Sequence, residues 1–406
     1  MTGTQIWIVA LMFAFSVVNY FGRTILSVSA PLIIREFSLT PVSMGIVFSA
    51  FQLSYTLLMT PGGRWSDRYG PRTMLAITGL GSGLLTAMMP LGGTPGLGAV
   101  IGVIPALALM RIGFGAFTAP LYPATGRMNA MTMPLLHRTR VLGIVNAGAG
   151  FGGAISPILF SMMIARFGWR ISFVMAGVAA MLVAATWLAT VPNRPAAEAT
   201  LVKHPSWSGL LGNPNLRWLI AGFAALDYFQ YIFFYWLYYY LGEVRKFSPD
   251  DTAFYTTLPF LAWLVMMPMG GWIADRLVAR DGVKSGLRTV AITSQLLAVA
   301  CLAAALNVTG TNSLVALLSF AFGFAAVADV TFWSGVISIS GPQAGAAGGL
   351  MNTGGNLGGG LAPILTPLIA SQFGWSAGLY AGAAIALIGV VAWMRIVPAP
   401  THTQSL

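Results

Sequence analysis

Arg23 and Arg111 stand inside apolar stretches long enough to cross a membrane, and neither has an acidic residue within one helical turn. A charged side chain at the centre of a bilayer costs about 2.5–3.5 kcal/mol on insertion scales, so it is seldom kept without a task. A guanidinium is planar and always charged, and its fork of N–H groups fits a carboxylate bidentately, which lysine does not. Two such groups in one half of the chain imply a binding site for an anion.

Other residue types extend that chemistry or exclude rivals. Asp227 and Asp329 are the acids that fall well inside apolar segments. A carboxyl group withdrawn from water can hold a proton, so either is a candidate for ion coupling, and either can equally serve as a counter-ion to an arginine. Tyr228, Tyr231 and Tyr235 share one face at helical spacing and offer hydroxyls to a solute, whereas Tyr238, Tyr239 and Tyr240 read as an interfacial belt. Asn352 and Asn356, one turn apart, can bind a solute oxygen or each other's helices. His137, His204 and His402 all fall in loops or the tail, and Cys301 is alone. No metal cluster, nucleophile–base pair or disulfide can be drawn from that set, so an enzyme is not expected.

The elements that must position these residues are membrane helices. Of 406 residues, 57% are hydrophobic and 8% charged, and mean hydropathy is +0.78; a soluble domain carries about 25% charged residues. Twelve stretches approach the roughly 20 apolar residues that span a bilayer: 5–34, 40–60, 73–92, 98–125, 140–165, 169–191, 217–241, 252–273, 288–307, 312–337, 345–370 and 377–397. The first lacks a basic n-region and a small-residue cleavage site, so it reads as a mature helix. With an internal N-terminus, cytoplasmic loops hold 14 lysines and arginines and outer loops 5. The positive-inside rule therefore puts both termini in the cytoplasm, and the net charge of +11 reports topology and not nucleic-acid binding.

The chain also repeats itself at an offset of 206–208 residues. Asn146-Ala-Gly-Ala-Gly-Phe-Gly-Gly-Ala-Ile-Ser-Pro157 aligns with Asn352-Thr-Gly-Gly-Asn-Leu-Gly-Gly-Gly-Leu-Ala-Pro363, and Phe167-Gly168-Trp169 with Phe373-Gly374-Trp375. Gly62 to Arg68 aligns with Gly270 to Arg276, and Asn19-Tyr20-Phe21 with Asp227-Tyr228-Phe229. The expected organisation is a six-helix bundle over 1–191, a cytoplasmic linker over 192–216, a second bundle over 217–397 and a cytoplasmic tail over 398–406. Gly148, Gly150 and Gly153 formally satisfy G-x-G-x-x-G, but the run lies within a membrane segment without the strand a dinucleotide site requires. Its small residues serve close helix approach instead.

Twelve helices in two parallel-repeat halves resemble the major facilitator superfamily. The resemblance is most specific at Gly63-Arg-Trp-Ser-Asp67-Arg68-Tyr-Gly70-Pro-Arg72, which is similar to that superfamily's signature loop between its second and third helices. It implies a major facilitator fold, all-α and integral to the membrane, with the substrate site between the halves at mid-membrane. In such a loop Asp67 can cap a helix start and pair with a base on a neighbouring helix, so Gly63, Asp67, Arg68 and Arg72, with Asp275 and Arg276 in the second half, are candidates for a conformational latch.

Two further stretches, Asn19 to Pro31 and Arg111 to Pro123, resemble the anion:cation symporter family, which includes bacterial hexuronate and galactonate carriers, sialin and the vesicular glutamate transporters. That family's first helix has Asn-Tyr-x-Asp-Arg, and its fourth has Arg-x-x-x-Gly-x-x-Glu-x-Pro-x-x-Pro. Trp236, Leu241, Asn352, Asn356 and Pro363 add support. By this resemblance Arg23 and Arg111 map onto the substrate-anion residues. The two carboxylates expected to take the coupling proton are replaced by Gly22 and Thr118.

The resemblance thus implies secondary active uptake of a small organic anion, a mono- or dicarboxylate, by alternating access. Arg23 and Arg111 would hold the carboxylate; Tyr231, placed opposite Arg23 by pseudo-symmetry, would act with Tyr235, Asn352 and Asn356. Proton symport would run through Asp329 or Asp227, with sodium the other coupling ion. Anion exchange or facilitated diffusion is the rival mechanism, and a proton-driven exporter of drugs or metabolites the rival class. The expected partners are the anion, the coupling ion and the lipid of an inner membrane; the protein is expected to be a monomer without cofactor, metal or nucleic acid.

Overall fold

In the computed structural model, residues 1–192 and 207–397 are described. Most of the expected linker, 193–206, and the expected tail, 398–406, lie outside the described residues, as do His204 and His402. Among the described residues every regular element is helical. In order they are α1 (Gly3–Glu36), α2 (Pro41–Tyr69), α3 (Pro71–Met88), α4 (Leu97–Ile101), α5 (Val103–Thr118), α6 (Leu121–Thr132), α7 (Leu135–Thr190), α8 (Trp207–Leu211), α9 (Pro214–Tyr239), α10 (Pro249–Asn307), α11 (Thr311–Ser340), α12 (Ala344–Phe373) and α13 (Trp375–Arg395).

Among the described residues, eight stretches are long and apolar enough to cross a membrane. Two of them, within α7 and α10, are helix pairs, because Gly168 and Gly282 carry non-helical backbone. The 26-residue α9 and the 30-residue α12 are also long enough to span, although polar and glycine content lowers their hydropathy. Together these give the expected twelve membrane helices among the described residues. In lipid this is the natural outcome, since a helix satisfies its backbone N–H and C=O groups within itself.

The helix ends correct several boundaries. The second segment was expected to end at residue 60, with the signature sequence in a loop. Instead α2 continues to Tyr69, and Gly70 alone separates it from α3. The stretch after residue 273 is likewise helical up to Gly282. Hydropathy marks where lipid begins and ends, whereas a helix bearing polar side chains continues into water. In the other direction, the fourth segment is broken at Gly102 (φ 89°) and again beside Pro120, so α4, α5 and α6 replace one helix over 98–125.

Four joints share one geometry. Gly70 (φ 80°, ψ 148°), Gly168 (φ 76°, ψ 161°), Gly282 (φ 80°, ψ 163°) and Gly374 (φ 84°, ψ 160°) each connect two helices through a single residue. That region of backbone space is essentially closed to residues with a Cβ.

The described chain falls into two compact units, one built from Met1–Leu201 with Tyr235–Thr257 and the other from Val202–Phe234 with Leu258–Leu406. The same packing device recurs inside each. In the first, a Cβ at Gly148 would come 2.7 Å from the Phe13 carbonyl oxygen and one at Gly152 2.8 Å from that of Val17, so α7 lies directly on α1. In the second, Gly354 meets Ile220 and Gly358 the Ala224 carbonyl, so α12 lies directly on α9. The repeat seen in the sequence is therefore a repeated backbone-to-backbone contact, which small residues allow in a membrane. Gly152→Val should cost about 1–3 kcal/mol by overpacking and lower the melting temperature in detergent. Gly143→Ala, which meets open space, should not.

Candidate functional site

The first unit brings Arg23, Arg111 and Tyr235 together. Arg111 projects from α5, is 2% exposed, and donates from Nη1 to the Gly22 carbonyl oxygen at 2.8 Å. Its Nε and Nη2 are buried and make no hydrogen bond among the described residues. Those two atoms form the side-on fork that receives a carboxylate bidentately. Leaving such donors unmet costs about 1–3 kcal/mol, and more for a charged group.

Aromatic rings carry the two charges. The Arg111 guanidinium carbon lies 4.8 Å from the Phe51 ring centroid and 4.9 Å from that of Phe114. Arg23, on α1, lies 4.9 Å from Phe51, 4.5 Å from Tyr55 and 5.2 Å from Tyr20. Ring faces attract cations, by about 0.5–2 kcal/mol each according to desolvation, which offsets part of the cost of burial. Phe51 is shared, and the two guanidinium charges act on each other. Tyr235 reaches the same region: both arginines act on it electrostatically, and its hydroxyl donates to Gln52 Oε1 at 3.2 Å. Phe48 holds Tyr235 in place, ring to ring at 4.8 Å. Asn19, one turn before Arg23 on α1, is 5% exposed and leaves both amide atoms without a partner.

The two departures from the family pattern are packed, not vacant. A Cβ at Gly22 would fall 2.6 Å from the edge of the Phe114 ring, so that ring occupies the space a carboxylate would need. Thr118 is fully buried and donates to the Gly115 carbonyl oxygen at 3.2 Å, inside its own helix.

The second unit holds the other candidates. Tyr231 on α9 donates to Asn356 Oδ1 at 3.1 Å, and Asn356 Nδ2 donates to the Asn352 carbonyl oxygen at 2.8 Å. Gly359 makes room for the Tyr231 ring. Asn356 Nδ2 also donates to Asn352 Oδ1 at 3.2 Å, so the three polar side chains form one chain of hydrogen bonds. Asp227 and Asp329 are 8% and 9% exposed and act on each other electrostatically. Neither is in an ion pair among the described residues. Gln230 Nε2 donates to Asp329 Oδ2 at 3.3 Å, and the Trp333 side chain also bonds it. Asp227 packs on α12, its Oδ2 facing Gly355.

The latch candidates divide. Asp67 pairs with Arg127 of α6. It lies in the last turn of α2, so it does not cap a helix start as expected; an acid there opposes the helix dipole, and Arg127 compensates it. Arg72 donates to the carbonyls of Leu188 and Val191 at 2.6 Å each, closing the C-terminal end of α7. Gly63 is in ordinary contact with Pro123. Arg68 lies over Tyr69 at 5.4 Å. In the second unit Asp275 is exposed and in no ion pair among the described residues, and Arg276 lies over Trp272 at 3.7 Å. Tyr240 is 3% exposed, so it belongs to the protein interior and not to an interfacial belt.

Sequence reasoning passed over Phe51, Tyr55, Tyr20 and Gln52. Aromatic residues in an apolar segment carry no signal of their own, but Gln52, a carboxamide in the middle of the second segment, does.

Residues 12–283 and 282–406 match the family model described as Major Facilitator Superfamily. The chain is 27% identical to the hexuronate transporter of Bacillus subtilis (strain 168), over 98% of this chain and 97% of that protein. It is 28% identical to a probable sulfoacetate transporter of Cupriavidus necator, over 89% and 86%, and 28% identical to the D-galactonate transporter of Escherichia coli O6:H1, over 95% and 94%. Among solved structures, a bacterial homologue of the human lysosomal transporter Spinster, inward-facing and occupied, superposes with a TM-score of 0.83 at 16% identity, covering 97% of each chain. The D-xylose-proton symporter does so at 0.76 and 18% identity, over 96% and 97%. These structures share the fold. The chain is a multi-pass membrane transporter and not an enzyme, and it belongs to the major facilitator superfamily, with relatives of the anion:cation symporter type.

Proposed function

We propose that the chain is a secondary transporter that takes up a small organic anion, a mono- or dicarboxylate, by alternating access. The observation that carries this reading is the buried Arg111, whose Nε–Nη2 fork is unmet beside Arg23 on the shared Phe51 ring. A carboxylate on that fork would complete a charge-assisted, bidentate pair in a region from which water is largely excluded. The relatives named for hexuronate, sulfoacetate and galactonate transport support the reading, since those solutes are small organic anions. Tyr235 and Asn19 would meet hydroxyl or second carboxylate oxygens, and Tyr231, Asn352 and Asn356 are kept as solute contacts on the resemblance alone.

Uptake would be coupled to a proton through Asp329 or Asp227, both buried and in no ion pair among the described residues. Exchange of one anion for another, without a proton, is the second reading. It is favoured by Gly22 and Thr118, which leave no carboxylate where the family carries its coupling acids. We place the protein in a cytoplasmic membrane as a monomer with both termini inside, on the 14-to-5 distribution of basic residues. The Asp67–Arg127 pair is the proposed latch, with Gly63, Arg68, Arg72, Asp275 and Arg276 as its surroundings and repeat.

Purified protein in detergent, warmed with D-galactonate, D-glucuronate or D-glucarate, should melt higher with its substrate, because a ligand that binds only the folded state stabilises it. In proteoliposomes, Arg23→Ala should abolish uptake of that solute; uptake near the wild-type rate would remove the anion reading. Arg111→Lys keeps the charge but loses the fork, and should weaken binding about tenfold or more; unchanged affinity would make Arg111 structural. Asp329→Asn should flatten the pH dependence of uptake. A wild-type pH profile in that variant, and in Asp227→Asn, would leave exchange as the mechanism.

A further inference from the structure

Phe51, on α2, is fully buried between two cations: the Arg23 guanidinium carbon is 4.9 Å from its ring centroid and that of Arg111 4.8 Å. Its ring also packs at 5.3 Å on Phe114 and at 5.8 Å on Tyr55, which lie against Arg111 and Arg23 in turn. The backbone delivers it there. A Cβ at Gly115, one turn after Arg111 on α5, would fall 2.6 Å from the Phe51 carbonyl oxygen and 3.0 Å from the Tyr55 amide nitrogen, so α2 lies directly on α5 at this level.

The two guanidinium charges act on each other, and in a medium of low dielectric like charges push long side chains apart. The face of an aromatic ring is negative and attracts a cation. Attraction through the flat face of a guanidinium leaves its in-plane N–H donors for other partners. The ring and an anion on the Arg111 Nε–Nη2 fork therefore add and do not compete. An aliphatic side chain of similar size would fill the same space without this attraction.

Resting on the reading of this site as an anion carrier's, we propose that Phe51 is a positioning residue for solute recognition: the negative face of its ring, and not its volume, holds the Arg23 and Arg111 guanidinium groups against their mutual repulsion in the arrangement that an anionic solute binds. Arg111 is then held from two sides, by the Gly22 carbonyl oxygen at 2.8 Å and by the ring. The solute meets cations already in place, and its affinity gains because less ordering is left to binding.

Fluorinated phenylalanines at position 51 of the full-length protein test this, because each fluorine draws charge from the ring face at nearly constant shape. One, two and three fluorines are introduced in turn, and dissociation constants for D-galactonate, D-glucuronate and D-glucarate are measured on the folded protein. Affinity for the solute that binds should fall stepwise, by about tenfold at three fluorines, which is about 1.4 kcal/mol and within what a desolvated cation–π contact supplies. Phe51→Leu should lose as much. The same series at Phe15, buried on Trp187, should leave affinity unchanged. A ring that only fills space would shift the melting temperature of the solute-free protein and leave the constants flat. Constants that stay flat across the series, that tighten as fluorine is added, or that fall equally at Phe15 overturn the proposal and leave the anion-carrier reading standing. A wild-type protein that binds none of the three solutes overturns both.

Discussion

A guanidinium held away from water needs either a partner or a reason to lack one. Arg111 is the point on which the candidate site turns: one nitrogen is tied to a backbone carbonyl, two rings lie within 5 Å, and the remaining fork is unmet. The tie to Gly22 fixes the direction of the group, and the rings lower its cost without using its donors. What is left over is directional bonding capacity, which a solute can use and lipid cannot. The rest of the first unit serves that arrangement. Phe51 carries both cations, Phe48 holds Tyr235, and Gln52 fixes the Tyr235 hydroxyl.

Backbone proximity makes these contacts possible. Where α7 lies on α1, glycines meet carbonyl oxygens, and the same is true where α12 lies on α9. In a membrane, no hydrophobic driving force separates helix from lipid, so association depends on close packing and hydrogen bonds. Glycine stripes supply the first. The Tyr231–Asn356–Asn352 chain and the Gln230–Asp329 bond supply the second. Of these bonds, Tyr231 to Asn356 and Gln230 to Asp329 tie α9 to α12 and to α11.

Much of this was legible in the amino-acid order, for physical reasons. Arg23 and Arg111 announced themselves because charge in an apolar stretch is costly, and the glycine repeat because close packing restricts side-chain size at fixed spacing. The helix ends were less legible. Hydropathy falls at residue 61 although α2 continues to Tyr69, since polarity reports the surroundings and not the backbone state. The role of Asp67 as a helix start was misread for that reason, while its pairing with a neighbouring base depends only on reach and charge. The ring cluster around the arginines was invisible, because Phe51 and Tyr55 look like any other apolar-segment aromatics until three helices converge.

The four glycine joints say something about the chain's construction that the twofold repeat conceals. Gly70, Gly168, Gly282 and Gly374 adopt nearly one pair of torsions, and each stands between the second and third helices of a successive triplet. A three-helix module, used four times, reproduces that placement. Each half then repeats its own joint, and the glycine's torsions are the element that all four modules share. Arg23 and Arg111, in the first and second triplets, break that fourfold regularity: the joint recurs in every module, and the buried guanidinium does not.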